Sequence, residues 1–134
     1  MSIVDEIKKI PNLYHAKGCT TSQIKDAQKV LGITFPDEFI DYVKEYGAIS
    51  FYGTEWMGLN VDGYINVVDA TKQERDINDD FPSDCFVLEN QGIDGIITAA
   101  DEKGNVYSIS YDKKELIYTS IVDYLHSCVD RANK

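Results

Sequence analysis

Few residues of this chain could do chemistry, and they are widely spaced. Nucleophilic catalysis needs a thiol or hydroxyl beside a base, and the nearest cysteine–histidine pair is His126 and Cys128. Two positions apart on a helix, those side chains point about 200° away from each other. Cys128 also falls on an apolar stripe, so it reads as a buried structural thiol. Cys19 lies near His15 in a polar stretch and reads as an incidental surface thiol rather than a reactive one. A zinc site wants three or four Cys and His ligands, and two histidines with three isolated cysteines do not assemble one, so no metal is expected. Asp76, Asn78 and Asp80 imitate the start of a calcium loop. The sixth position is then Phe81 where glycine is needed, and the twelfth is Val87 where a bidentate glutamate belongs. Gly92-Ile93-Asp94-Gly95 is not followed by Lys-Ser or Lys-Thr, so it is no phosphate-binding loop. Asp and Glu are numerous enough for some pair to lie at glycosidase separation by chance. Catalysis is left without a candidate, and no cofactor is implied.

Charge is more informative once it is located. The formal net charge is −10 over 134 residues. Residues 51–102 hold twelve acids against Lys72 and Arg75 and account for all of it, since the flanking stretches nearly cancel. A field of that sign repels nucleic acid, anionic lipid and phosphorylated substrates. It attracts a basic protein and speeds the encounter. The plainer reading, acidity for solubility alone, stands beside this one. No basic patch interleaves with aromatics, so no nucleic-acid partner is expected.

A chain of this length fits one domain, residues 1–134, large enough to fold without a disulfide or metal. Its 43% hydrophobic and 27% charged residues suit a globular protein. No apolar run approaches the roughly 18 residues of a membrane span, so no membrane association is expected. The start, MSIVDEIKKIPN, puts Asp5 and Glu6 where an export signal would carry basic residues. The odd, unpaired cysteine count argues for reduced thiols and a cytoplasmic location.

The elements that must position any site can be read from periodicity and caps. Ser2 is placed to cap a first helix carrying Ile3, Ile7 and Ile10, which Pro11 stops. Thr21 or Ser22 caps a second, with Ile24, Ala27, Val30 and Leu31 on one face and Gly32 as its left-handed end. A third opens at Pro36 with Asp37 and Glu38 at its positive end, buries Phe39, Val43 and Tyr46 with Ile40 beside them, and closes at Gly47. AISFYGTEWMGLNVDGYINVV then reads as strands and turns. DATKQERDIND suits a short exposed helix. CFVLEN, GIITAAD and NVYSISY read as strands, with KELIYT as a further one. A last helix begins near Ser120 and buries Val122, Leu125, Val129 and Ala132. Helices at both ends of a run of strands imply α+β, with N-terminal and C-terminal helices packed on a single antiparallel or mixed sheet.

The series from Ile24 through Leu31-Gly32, Phe35-Pro36, Phe39 and Val43 to Tyr46-Gly47, then Trp56 and Gly58, resembles the SUKH superfamily. That group includes fungal cell-wall assembly regulators, the bacterial Syd protein and many bacterial immunity proteins. Here Phe35 stands for the usual leucine before proline, and Tyr46-Gly47 for a common Asn-Gly. Further matches lie at Val68-Asp69-Ala70-Thr71 with Arg75, Gly92–Gly95, Gly104-Asn105-Val106-Tyr107 and the Ile121–Leu125 stretch, so the ordered set covers nearly the whole chain.

The resemblance implies an α+β fold without enzymatic activity. In its bacterial immunity-type members it implies a cytoplasmic protein that binds and neutralises a cognate polymorphic toxin, with no cofactor. The acidic middle segment suits a basic toxin domain, such as a nuclease with a phosphate-seeking cleft. The surface expected to face the toxin comprises Glu55, Asp62, Glu89, Asp94 and Asp101 with Trp56, and with Tyr52 or Tyr64. These are acids and aromatics at turns and strand ends of the charged segment. A lone tryptophan is more often core, which is the competing expectation for Trp56. Two other function classes remain open: a regulatory or scaffolding interaction module without a toxin, and an enzyme assembled from dispersed acids.

Overall fold

The computed structural model describes residues 2–92 and 95–132. Helix α1 (Ile3–Lys8) is capped by Ser2, whose Oγ accepts the Asp5 N–H at 3.1 Å. It buries Ile3 and Ile7 against the third helix. A two-residue strand β1 (Tyr14–His15) follows, which local pattern did not signal.

Helix α2 (Thr21–Leu31) is capped one residue earlier than expected. Thr20 Oγ1 accepts the Gln23 N–H at 3.1 Å, and Gln23 Oε1 accepts the Thr20 N–H at 2.8 Å. This reciprocal capping box needs Gln three residues after the threonine, a condition only Thr20 meets. Gly32 ends the helix at φ 69°. Ile24, Ala27 and Leu31 are buried as expected, but Val30 is 57% exposed on the far side of the stripe.

Helix α3 (Asp37–Tyr46) buries Phe39, Tyr42, Val43 and Tyr46. Strands β2 (Ile49–Phe51) and β3 (Thr54–Trp56) are joined through Tyr52-Gly53, both at positive φ. Mirror-image turns of that kind match the twist of a hairpin. A 3-10 turn (Gly63–Ile65) leads into α4 (Val67–Ile77), which Asn66 caps. The helix expected here as exposed starts two residues earlier, and its Val67 and Thr71 are buried. Strands β4 (Cys85–Asn90), β5 (Ile97–Asp101), β6 (Val106–Ser110) and β7 (Lys113–Tyr118) precede α5 (Ile121–Ala132).

The fold is α+β, but the expected single sheet is two antiparallel ones, of order β1-β2-β3 and β4-β5-β6-β7. The free edge of β4 explains the division. A register shift lies between Val87 and Glu89, and the buried Val87 N–H donates sideways to Thr71 Oγ1 of α4 at 3.0 Å. The β3 side therefore joins β4 through the Met57 N–H to Leu88 carbonyl bond at 2.7 Å rather than through a continuous ladder. The shift itself lies in the β4–β5 ladder, which resumes at Glu89↔Thr98, so it bends β4 without ending that pairing.

The core lies between the sheets and helices α1, α3 and α5. Phe35, Phe39 and Phe86 meet at centroid separations of 4.6–4.9 Å. Backbones also approach closely at Gly58, where a Cβ would lie 1.7 Å from the Gly47 carbonyl oxygen. The Trp56…Gly58 pattern is thus structural. Trp56 fills the core, and Gly58 lets the chain cross the end of α3.

Candidate partner-binding face

Strand alternation decides the fate of the neighbours Glu55 and Trp56. Side chains along a strand point to opposite faces in turn, and β3 is buried at Thr54, exposed at Glu55 and buried at Trp56. Trp56 is 0% exposed, with its ring stacked on Tyr124 at 5.9 Å. That removes Trp56 from the expected surface.

Glu89 and Asp101 are also corrections to that surface. Glu89 is 3% exposed. It accepts a hydrogen bond from the Tyr124 hydroxyl and another from Arg131 Nη2 at 3.1 Å. Burial pushes its carboxyl above the ordinary value, opposed by the Tyr124 bond and the Arg131 charge. The residue ties α5 to β4 rather than facing solvent. Asp101, 6% exposed, organises its own turn. Its carboxylate accepts the Lys103 and Asn105 N–H groups at 2.9 and 3.0 Å, the Asn105 side-chain amide at 3.1 Å and the Tyr107 hydroxyl at 2.9 Å. Burial alone would raise its pKa, but these donors outweigh it and hold the group below the ordinary aspartate range. Asp94 lies outside the described residues.

Of the expected surface, Glu55 and Asp62 are exposed, together with Tyr52 and Tyr64. The register Tyr14↔Ser50 and Ser50↔Glu55 lines those three residues across one face of the small sheet. Tyr64, in the 3-10 turn, donates its hydroxyl to the Glu55 carboxylate at 2.9 and 3.2 Å. Tyr52 is held by Asn12, whose Nδ2 donates to its hydroxyl at 2.8 Å. Tyr14, which the sequence did not single out, is 77% exposed.

Two depressions flank the 3-10 turn. One, of about 270 Å³, lies on the small sheet and is lined by Tyr14, Ala48, Ile49, Glu55 and Ile65 among others. The other, of about 470 Å³, runs between α2 and α4, where Asp26, Asp62 and Asp69 rim a floor of Ala27, Leu59, Val61 and Val68. Asp62 lies just before the turn and lines the second, and Ile65 at its end lines the first. Among the described residues, no lysine or arginine lines either depression. Among the described residues, the ion pairs are Lys9–Glu6 and Arg131–Glu89, with His126 also hydrogen-bonded to Glu6, so none of these rim carboxylates is paired.

The cysteines are buried and unbonded. For Cys128 this matches the sequence reading; for Cys19 it corrects one, because the loop before α2 packs against α3 through the Cys19 N–H to Val43 carbonyl bond at 3.0 Å. Burial pushes Cys85 up to about 12 and Cys128 up to about 11, so both stay protonated thiols. Among the described residues, no group of three or more His, Cys, Asp and Glu side chains is arranged to hold a metal ion. No helix there is long and apolar enough to cross a membrane.

A family model described as SUKH_5, SMI1-KNR4 cell-wall, matches residues 1–130. None of the curated proteins matches the chain.

Proposed function

The chain belongs to the SUKH_5 (SMI1-KNR4) family, and from that premise we propose that it is an immunity protein that binds and neutralises a cognate polymorphic toxin in the bacterial cytosol. It acts as a protein-interaction module, by stoichiometric binding rather than by turnover. The partner is a basic toxin domain, and a nuclease is the favoured kind.

The observation that carries this reading is a set of carboxylates, Asp26, Glu55, Asp62 and Asp69, that are unpaired among the described residues and surround two depressions that no described lysine or arginine lines. A cleft evolved for nucleic acid presents cations at phosphate positions, and carboxylates in such an array can occupy the same field. Opposite charge speeds encounter by roughly 10–10³-fold at low salt. The exposed tyrosines beside the acids supply rigid, amphipathic contact area of the kind that anchors interfaces.

The test is rescue. Any toxin domain encoded beside this gene is expressed in cells with and without the chain, and the two proteins are co-purified. Restored growth with a stoichiometric complex is expected. Continued growth arrest, with no complex, sinks the immunity reading and turns the search to a housekeeping partner.

A further inference from the structure

We propose that the depression on the small sheet is a slot for one arginine side chain of the partner protein, held between the Tyr14 ring and the Glu55 carboxylate. The proposal rests on the reading that this face meets a basic protein, and it names the group that the face takes.

The slot has a small-residue floor, an apolar wall and the Glu55 carboxylate. Ser50, the small residue between Tyr14 and Glu55 in the cross-strand row, forms the floor, and Ile65 closes one side. Tyr14 stands on β1, the outer strand of its sheet, and Glu55 lies two strands away in the same cross-strand row. Strand spacing puts their backbones about 10 Å apart, leaving room for a flat group between the side chains. The slot volume of about 270 Å³ suits one long side chain rather than a helix.

Chemistry selects the occupant. A purely apolar group would strip water from Glu55 and leave its charge without a cation, which is strongly unfavourable. An anion is repelled. A cation on an apolar stem satisfies both parts, because its methylenes cover Ile65 while its head reaches the carboxylate. Arginine fits better than lysine. Its planar guanidinium stacks on an aromatic face, donates in a fork to a carboxylate and is less strongly hydrated than an ammonium.

Glu55 is prepared for this role. The Tyr64 hydroxyl donates to both of its oxygens and fixes their orientation. A carboxylate offers about four acceptor sites, so sites remain for a guanidinium. Glu55 forms no ion pair among the described residues. The 77% exposure of Tyr14 leaves its ring uncovered in the free protein.

The test needs no knowledge of the toxin. The 15N-labelled full chain is titrated with N-acetyl-arginine amide, and with the lysine and leucine counterparts, while amide shifts are followed. Saturable shifts centred on Tyr14, Ser50 and Glu55 are expected. Binding should be tightest for arginine, lost in Glu55→Gln and weakened in Tyr14→Ala, with both variant spectra otherwise native. Shifts spread over all surface acids, or equal binding of leucine, overturn the slot. So does a dimer of this chain that Tyr14→Ala dissolves, because a second copy would then be the occupant.

In the toxin complex, Glu55→Gln should weaken affinity by about 30-fold, the scale of a central interface anchor. Rescue with a Glu55→Gln affinity unchanged overturns the slot and leaves the immunity reading intact. Absent rescue with saturable arginine binding does the reverse.

Discussion

Glu38, in the first turn of α3, caps α5 from 83 positions away: its Oε1 accepts the Ile121 N–H at 2.8 Å and its Oε2 the Val122 N–H at 3.3 Å. The first amides of a helix have no partner within it, and negative charge there opposes the helix dipole favourably. One carboxylate thus joins two helices that pack on the same core.

Glu38→Ala should therefore destabilise the fold by about 1–2 kcal/mol, the usual effect of losing a helix cap. Thermal melting would register this as a drop of roughly 4 °C per kcal/mol for a domain of this size. Glu38→Gln should fall between, since an amide oxygen accepts the hydrogen bond without the charge.

Gly58→Ala should be more damaging than any cap variant. Its Cβ would lie 1.7 Å from the Gly47 carbonyl oxygen, and the obstacle is backbone rather than a side chain that can rotate away. A loss of at least about 3 kcal/mol is expected, measured by urea denaturation. Gly53→Asn offers the control, since nothing lies within 4 Å of a Cβ there and asparagine tolerates positive φ.

Glu89 makes stability depend on pH in a stated direction. Burial raises its pKa above the ordinary 4.5, so between that value and the raised one the folded state holds the proton more tightly than the unfolded state. Its contribution is complete below about pH 4.5 and is lost as pH rises through the folded value. Glu89→Gln cannot titrate and should flatten that part of the stability profile, measured by denaturation from pH 4 upward. An unchanged slope would refute the assignment.

The rim acids act collectively. Lysine at positions 55, 62 and 69 together should reduce toxin affinity by at least about 100-fold, chiefly through slower association at low salt, and leave the melting temperature nearly unchanged. Stopped-flow association at two ionic strengths would check both the rate and its salt dependence. Unchanged affinity would remove this face from the interface.

All three thiols should resist a disulfide reagent at about pH 8 in the native protein and react together on unfolding. Burial of Cys19, Cys85 and Cys128 is the cause. Fast labelling of Cys19 in the native state would contradict the packing before α2.

What the sequence determined by itself was local. Ser2, Gly32 and Gly47 marked helix ends, the helical stripes marked most of the inward faces, and alternating or apolar runs marked β4 to β7, because caps and periodicity act between residues a few positions apart. The ordered pattern from Ile24 to Gly58 carried the family for the same reason, since most of it consists of caps and core. Only the tertiary structure decided which acids of the charged segment are surface. Glu89 is buried because Arg131 and Tyr124 arrive from α5, Asp101 because its turn and the start of β6 bring four donors onto it, and Glu55 is left outward because β3 lays Thr54 and Trp56 against the core. Tyr14 joined the site through strand pairing with Ser50, and the sheets divide where the Val87 N–H turns to the Thr71 hydroxyl. Asp101 aside, whose donors lie within six residues of it, burial and pairing here are properties of segments brought together from far along the chain, and no local pattern carries them.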